Sequence, residues 1–363
     1  MHTSPSLISA FTRLGKFLRQ FPDGTGPNSG AEEPALKNLN TQFFREFTEI
    51  LEKEPVLNPW FTRDSLMKAL KGIASMLEEE VLERWLRPYG IEPGVPGKQL
   101  TVGLVMAGNI PLVGFHDLLS VLACGHRALV KPSSKDDRLI RKVAELLSAI
   151  DAETGLRIQF TDDILSGMDV VIATGSDNSS RYFDYYFRNI PHIIRKNRNG
   201  VAVLSGDESE EDLAALGEDI FTYFGMGCRN ITKLYIPDSY DLKVLLGVLD
   251  RFLPLYQHHK YGNNVDYYRT LYLMNQVKFL DNGVLLLKED PSIASPVGVV
   301  FYERYSEIDL VLQKLDLHRE EIQCIVSAGQ AIKGSILPGS TQEPMPWDYA
   351  DGVDTIRFLM ELA

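Results

Sequence analysis

Thr101-Val102-Gly103-Leu104-Val105-Met106-Ala107 is an unbroken apolar run that stops at Gly108-Asn109-Ile110-Pro111. A strand with no polar alternation is buried on both faces, as in a parallel sheet covered by helices on each side. The following residues supply that cover. Pro111 suits the first position of a helix running to Cys124, and Gly125 suits its C-terminal stop. Arg127-Ala128-Leu129-Val130 reads as the next strand, with Lys131-Pro132-Ser133-Ser134 at its end and a helix from Asp136 to about Ile150. Met168-Asp169-Val170-Val171-Ile172-Ala173 is a third strand, ending in Thr174-Gly175-Ser176 before another helix. Strand, turn and helix repeated three times predict a doubly wound α/β domain.

The polar residues fall where such a domain binds ligands. Asn109, Lys131, Ser133, Thr174, Gly175 and Ser176 all lie just past the carboxyl ends of the predicted strands. A nucleotide is the natural ligand there, although neither Gly-x-Gly-x-x-Gly nor a P-loop occurs in the chain.

Before this domain, Ile8, Phe11, Leu14, Phe17, Leu18 and Phe21 recur at helical steps, and two further amphipathic helices are expected near 37–53 and 64–85. After it, Val201-Ala202-Val203-Leu204 is one more short strand of the first sheet, and the domain boundary is expected at Ser205-Gly206-Asp207. Ser209 with Asp212 starts a helix carrying Leu213, Leu216, Ile220 and Phe224 on one face, and Gly225 and Gly227 end it. Strands are expected at 232–236, 297–302 and 322–326, and a last apolar segment at 352–362. This divides the chain into helices plus a first domain (1–206), a second domain (207–335) and a tail returning to the first (336–363). The pair His258-His259 reads as an exposed loop rather than a metal site, since adjacent histidines are poorly placed as ligands and no partner cluster is visible.

Composition narrows the function. Of 363 residues 44% are hydrophobic and 24% charged, enough for two full cores. The net charge of −12 argues against a nucleic-acid partner. No run is long and apolar enough for a membrane span, and the N-terminus lacks the order of a signal peptide, so the expected location is the cytoplasm. Three cysteines at scattered positions suggest neither a disulfide framework nor zinc.

Each thiol is therefore judged alone. Cys124 ends an apolar helix and Cys324 shares a strand face with Ile322 and Val326, so both read as core. Cys228 differs, because Phe224-Gly225-Met226-Gly227-Cys228-Arg229-Asn230 surrounds it with residues that leave space and offer charge and donors. That is the setting of a nucleophile, with Arg229 or a helix terminus available to lower the thiol pKa. Attack on a carbonyl builds charge on oxygen, which Asn109 and the Cys228 N–H would receive.

Five segments now form an ordered set: Gly108-Asn109-Ile110-Pro111, Lys131-Pro132-Ser133, Thr174-Gly175-Ser176, Val203-Leu204-Ser205-Gly206 and Gly225-Met226-Gly227-Cys228. In order they resemble the landmarks of the aldehyde dehydrogenase superfamily. Ala107 to Gly114, taken with Cys228, looks most similar to the acyl-CoA reductase branch and to the fatty-acid reductases of bacterial bioluminescence. The resemblance covers residues 100–235 and implies two doubly wound α/β domains after an N-terminal helical segment. It implies Cys228 as acyl-accepting nucleophile and Asn109 as oxyanion donor. Lys131 and Ser133 would hold the adenosine ribose of a nicotinamide cofactor, with Thr174, Gly175 and Ser176 near its pyrophosphate. Two departures carry information. The general-base glutamate of aldehyde-oxidising members is replaced by Val203, which favours acyl transfer to and from a thiol over hydrolysis. The glutamate expected at the cofactor ribose appears as Ser292. No acid follows Lys131 until Asp136, which tolerates a 2′-phosphate and favours NADPH over NADH. The resemblance thus implies reduction of an acyl-CoA to an aldehyde; reduction of an acyl phosphate, or a silent nucleotide-binding or scaffold role, stays open. A homodimer is expected by resemblance alone, and an acyl-transferring partner enzyme stays open.

Overall fold

Two largely parallel sheets organise the chain, which a computed structural model describes at residues 7–27, 34–90, 97–175, 177–330 and 332–363. The chain divides into one unit of Met1–Lys196 with Met345–Ala363 and another of Asn197–Pro344.

The first unit begins with helices α1 (Leu7–Arg19), α2 (Pro34–Leu39), α3 (Arg45–Leu57), α4 (Arg63–Met76) and α5 (Glu79–Leu86). Leu7, Phe11, Leu14 and Leu18 form the buried face of α1, at the spacing the sequence predicts. A π-helical turn, Asn40–Phe44, joins α2 to α3, and the expected helix at 37–53 runs through it. The expected helix at 64–85 is broken at Leu77, which caps α4, so that α5 starts afresh.

Strand β1 (Thr101–Val105), helix α6 (Phe115–Ala123), strand β2 (Arg127–Lys131), helices α7 (Arg138–Ile150) and α8 (Ala152–Gly155), and strand β3 (Ile158–Phe160) follow. Strand β4 (Val170–Thr174), helix α9 (Asp177–Phe187) and strand β5 (His192–Arg195) complete the sheet, which is parallel throughout in the order β3-β2-β1-β4-β5. Val102, Leu104, Val130 and Val171 are buried, as strands covered on both faces require.

The second unit contains β6 (Asn199–Val203), α10 (Glu210–Phe221), β7 (Ile231–Pro237), α11 (Leu242–Leu249), α12 (His259–Met274), β8 (Leu280–Asp281) and β9 (Leu286–Glu289). It ends with β10 (Val299–Tyr305), α13 (Ile308–Leu317) and β11 (Ile322–Val326). The order is β11-β6-β7-β10-β9-β8, parallel except for β8 against β9. Because β6 pairs with β7 and β11 rather than with the first sheet, the division falls at Lys196/Asn197, upstream of the expected 205–207. Helix α14 (Thr355–Leu362) packs on α6 in the first unit. The guanidinium of Arg195 holds this tail, bonding Ala350 O at 2.8 Å and Thr355 Oγ1 at 3.0 Å while paired with Asp117 at 2.6 Å. Among the described residues no helix is long and apolar enough to cross a membrane.

Candidate functional site

In the first sheet the strands step one way from β1 to β2 and β3 and the other way to β4 and β5. The reversal lies between β1 and β4, the place where such a sheet opens a ligand crevice at its carboxyl ends. Lys131 is the last residue of β2 and Thr174 the last of β4, with Gly175 next. Asn109 is exposed in the turn after β1. Ser176 lies outside the described residues. Gly108 presses against Ser133: a Cβ on Gly108 would sit 2.5 Å from Ser133 Oγ, so only glycine permits the two turns to meet. Ser133 Oγ accepts the Lys135 N–H at 3.3 Å, and Lys131 Nζ donates to Asp163 O at 3.0 Å. Lys131 and Ser133 thus place an ammonium and a hydroxyl at and just past the carboxyl end of β2.

The helix expected from Pro111 begins instead at Phe115, its N-cap being Gly114. Leu112 adopts a left-handed backbone, φ 56°, which interrupts the turn, and its N–H donates to Asp136 Oδ2. The helix expected from Asp136 begins at Arg138, with Asp137 at its N-cap, which leaves Asp136 in the turn. In the fold it is buried, and burial pushes its carboxyl up to about 7, with the Leu112 N–H opposing and Glu54 adding to the rise. Residues 131–135 themselves hold no acid.

Cys228 is half-buried in the turn between α10 and β7. Three successive residues there, Tyr223, Phe224 and Gly225, have φ of 52°, 58° and 77°, two of them non-glycine in a region that side chains disfavour. Asn230 holds the turn. Its Oδ1 accepts the Gly227 N–H at 2.7 Å, and its Nδ2 donates to Asp219 O and Thr222 O, each at 2.8 Å. The sequence signal was present, since Asn is a polar residue able to satisfy a helix end, but it was read only as a donor near the thiol. Phe224 stacks on His258, ring centroids 4.4 Å apart, and His258 caps α12 by accepting the Tyr261 N–H. His258 is therefore a half-buried packing residue, not part of an exposed loop. Among the described residues no group of three His, Cys, Asp or Glu side chains could hold a metal ion.

The Arg229 guanidinium donates through Nε to Thr341 O at 2.6 Å, tying the turn to a segment that buried Asp219 also holds through Gly339 N and Thr341 N. Cys124 is core, and burial pushes its thiol up to about 12. Cys324 is half-buried rather than core, its Sγ 3.6 Å from Arg229 O. Val203 does not take the position of a base acting on Cys228. It pairs with Tyr235 near the carboxyl end of β7, whereas Gly200 pairs with Ile231 beside the cysteine turn. What the segment entering β6 does show is the absence of any acid from Tyr185 to Gly206. The Ser292 segment returns to the cysteine end of the sheet, where Thr232 Oγ1 donates to Ile293 O at 2.8 Å.

Solved structures share this fold. An NAD+ complex of aldehyde dehydrogenase from Bacillus cereus superposes with a TM-score of 0.58 at 11% identity, over 92% of this chain and 74% of that one. The fold is that of the aldehyde dehydrogenases. A variant of aldehyde dehydrogenase C from Pseudomonas syringae, complexed with NAD+ and octanal, gives a TM-score of 0.60 at 13% identity over 91% of this chain and 73% of that one. Betaine aldehyde dehydrogenase from Staphylococcus aureus, in complex with NAD+, gives 0.57 at 14% identity over 90% and 72%. No family model matches the chain, and no curated protein matches it in sequence. The aldehyde dehydrogenase fold is thus reached through backbone geometry at identities where side chains have largely changed.

Proposed function

We propose that the chain is an NAD(P)H-dependent acyl-CoA reductase in which Cys228 carries the acyl group. The reading rests above all on the cysteine turn, where a half-buried thiol stands between Gly227 and Arg229 in a strained loop pinned by a fully buried asparagine. Backbone strain of this kind persists where surrounding structure over-determines it and is concentrated at functional sites. Cys228 Sγ attacks the thioester carbon; its bond to the acyl group forms as the bond to CoA breaks and CoA leaves as a thiolate. Asn109 and the Cys228 N–H receive the charge that develops on oxygen, each positioned donor contributing roughly 10²–10³ in rate. Lys131 and Ser133 would hold the adenosine ribose, and Thr174, Gly175 and Ser176 the diphosphate. A bound reduced nicotinamide supplies the hydride that converts the acyl group to an aldehyde. The lack of acid from Tyr185 to Gly206 supports reduction over hydrolysis, because a base to activate water is missing from the segment entering β6. The lack of any acid from Lys131 to Lys135, with Asp136 turned towards Leu112, supports NADPH over NADH.

The test is NADPH and NADH oxidation with acyl-CoAs of graded length, for the natural chain and for Cys228→Ala. Oxidation that requires both the thioester and Cys228, with release of CoA and aldehyde, is the expected result. Oxidation that survives the substitution removes Cys228 from the mechanism. Turnover of acyl phosphates alone moves the substrate class, and cofactor binding without turnover of any acyl donor makes the chain a silent member of the fold.

A further inference from the structure

The loop that carries Asn109 stands on the turn after β2 at both of its ends. At one end Gly108 is buried, and a Cβ on it would stand 2.7 Å from Ser133 Cβ and 3.2 Å from Lys135 Cβ. At the other end Leu112 is buried, and its N–H donates to Asp136 Oδ2. Ser133 and Asp136 belong to one closed turn, since Asp136 N donates to Ser133 O at 3.0 Å. Asn109 is exposed between these two buried ends. Its place is therefore set by how firmly each end is held.

The contact at Gly108 is one of shape, whereas the end at Leu112 is bonded on both sides. Its N–H goes to Asp136, and its carbonyl accepts the Phe115 N–H at 3.0 Å where α6 begins. Between these bonds Leu112 has φ 56°, a backbone that a side chain disfavours and that persists only where the surroundings impose it. Asp136 imposes it from outside the loop. The residue is 5% exposed and its Oδ1 has no hydrogen-bond partner, so the Leu112 N–H takes the one hydrogen bond that its carboxyl makes among the described residues. We infer that Asp136 is a positioning residue: by holding Leu112 it fixes the loop that presents Asn109, an inference that rests on the reading of Asn109 as the oxyanion donor. A donor fixed beforehand needs no reorganisation as charge develops on oxygen, and a donor on a loose loop does.

Acyl transfer from p-nitrophenyl octanoate to the full chain tests this without CoA or cofactor. Cys228 Sγ bonds the acyl carbon as the ester C–O bond breaks, p-nitrophenolate leaves and the thiol proton passes to solvent. Asp136→Ala is expected to slow the first turnover at saturating ester at least ~10-fold, with the half-saturating ester concentration and the Kd for NADPH each within about 2-fold of the natural chain. Asp136→Asn keeps an oxygen for Leu112 and is expected to restore the rate. Because Asp136 acts through Asn109, adding Asp136→Ala to Asn109→Ala is expected to cost little more than Asn109→Ala alone. Where Asp136→Ala does not fold, Gly108→Ala displaces the other end of the loop and is expected to slow the same step. A rate that Asp136→Ala leaves intact, a failure of Asp136→Asn to restore it, or losses that multiply in the double variant overturns the inference. Release of p-nitrophenolate that survives Cys228→Ala overturns instead the reading of the nucleophile. Hydrogen exchange at the Leu112 amide then decides by itself: exchange at least ~10-fold faster in Asp136→Ala than in the natural chain and in Asp136→Asn is expected, and equal exchange overturns the inference whatever the acyl chemistry.

Discussion

Asn230 accepts the backbone N–H of Gly227 at 2.7 Å, so the turn carrying Cys228 is closed by a side chain two residues beyond the thiol. The same amide donates to carbonyls at the end of α10, which makes one buried side chain both helix cap and turn brace. Asn230→Asp keeps an acceptor for Gly227 but turns a carboxylate towards Asp219 O and Thr222 O, which can only accept. A buried unpaired polar group costs about 1–3 kcal/mol, and more when charged. Asn230→Asp is therefore expected to lower stability by at least ~3 kcal/mol in urea unfolding at neutral pH, and more than Asn230→Ala does. Equal losses for the two variants would mean the amide donors matter little.

Gly200 marks the other wall of that turn. A Cβ there would stand 2.7 Å from Arg229 O and 2.8 Å from Asn230 O, both backbone atoms that cannot swing aside. Gly200 N also donates to Asn230 O at 2.8 Å, so any displacement breaks a strand-end hydrogen bond. Gly200→Ala is expected to cost about 1–3 kcal/mol, the range for overpacking a rigid site. Because the shift falls on the two residues that follow the thiol, the rate of Cys228 alkylation should change as well. Unchanged stability together with an unchanged alkylation rate would show that the turn yields freely.

Asp136 makes stability depend on pH. Its carboxyl is raised to about 7 in the fold, by burial first, against the Leu112 N–H. It binds its proton more tightly folded than unfolded, so its favourable contribution is full below the unfolded value of about 4 and is lost as pH rises through 7. The span corresponds to a contribution on the order of 4 kcal/mol. Asp136→Asn retains an oxygen for Leu112 and has no charge to bury. The melting temperature of the natural chain is expected to fall between pH 5 and 8 relative to that of the variant, the two curves converging towards the acid side. Parallel curves would mean that Asp136 is ionised throughout in both states.

Much of this was legible in the sequence because it rests on patterns that burial enforces. The run from Thr101 to Ala107 became β1, and the carboxyl-end polar residues of the first sheet fall around its order reversal. Strands β3 and β5 escaped, because Ile158–Phe160 and His192–Arg195 are short edge strands, partly exposed and without a continuous apolar run. The place of Val201-Ala202-Val203 in the second sheet escaped for another reason. A buried strand reads alike in either sheet, and only pairing with Ile325 and Leu234 decides which one owns it. Asp136 and Asn230 act through backbone groups distant or reversed in orientation, and spacing along the chain carries no trace of such bonds.

Lys233 gives the sharpest asymmetry. Its side chain is fully buried and pairs with Glu303 at 2.7 Å, while also donating to Asp290 O. Burial holds the ammonium below its ordinary pKa, with Glu303 opposing that fall. Glu303 is better provided, since burial raises it but hydrogen bonds from Lys233 and from half-exposed Lys314 outweigh that and hold it low. The two truncations should therefore differ. Lys233→Met leaves Glu303 with Lys314 and fills the space with an unbranched apolar chain, whereas Glu303→Gln leaves a buried cation with only the Asp290 carboxylate, which Lys288 already pairs. Breaking a buried pair costs about 3–5 kcal/mol, and Glu303→Gln is expected at the upper end with Lys233→Met below it. In Glu303→Gln the lysine pKa falls further, so the unfolded chain binds the extra proton and stability should rise as pH goes from 7 to 9. Urea unfolding at the two pH values separates the cases: equal costs, or a stability of Glu303→Gln that does not rise with pH, would place the strength of the pair in Asp290 and the surrounding packing rather than in Glu303.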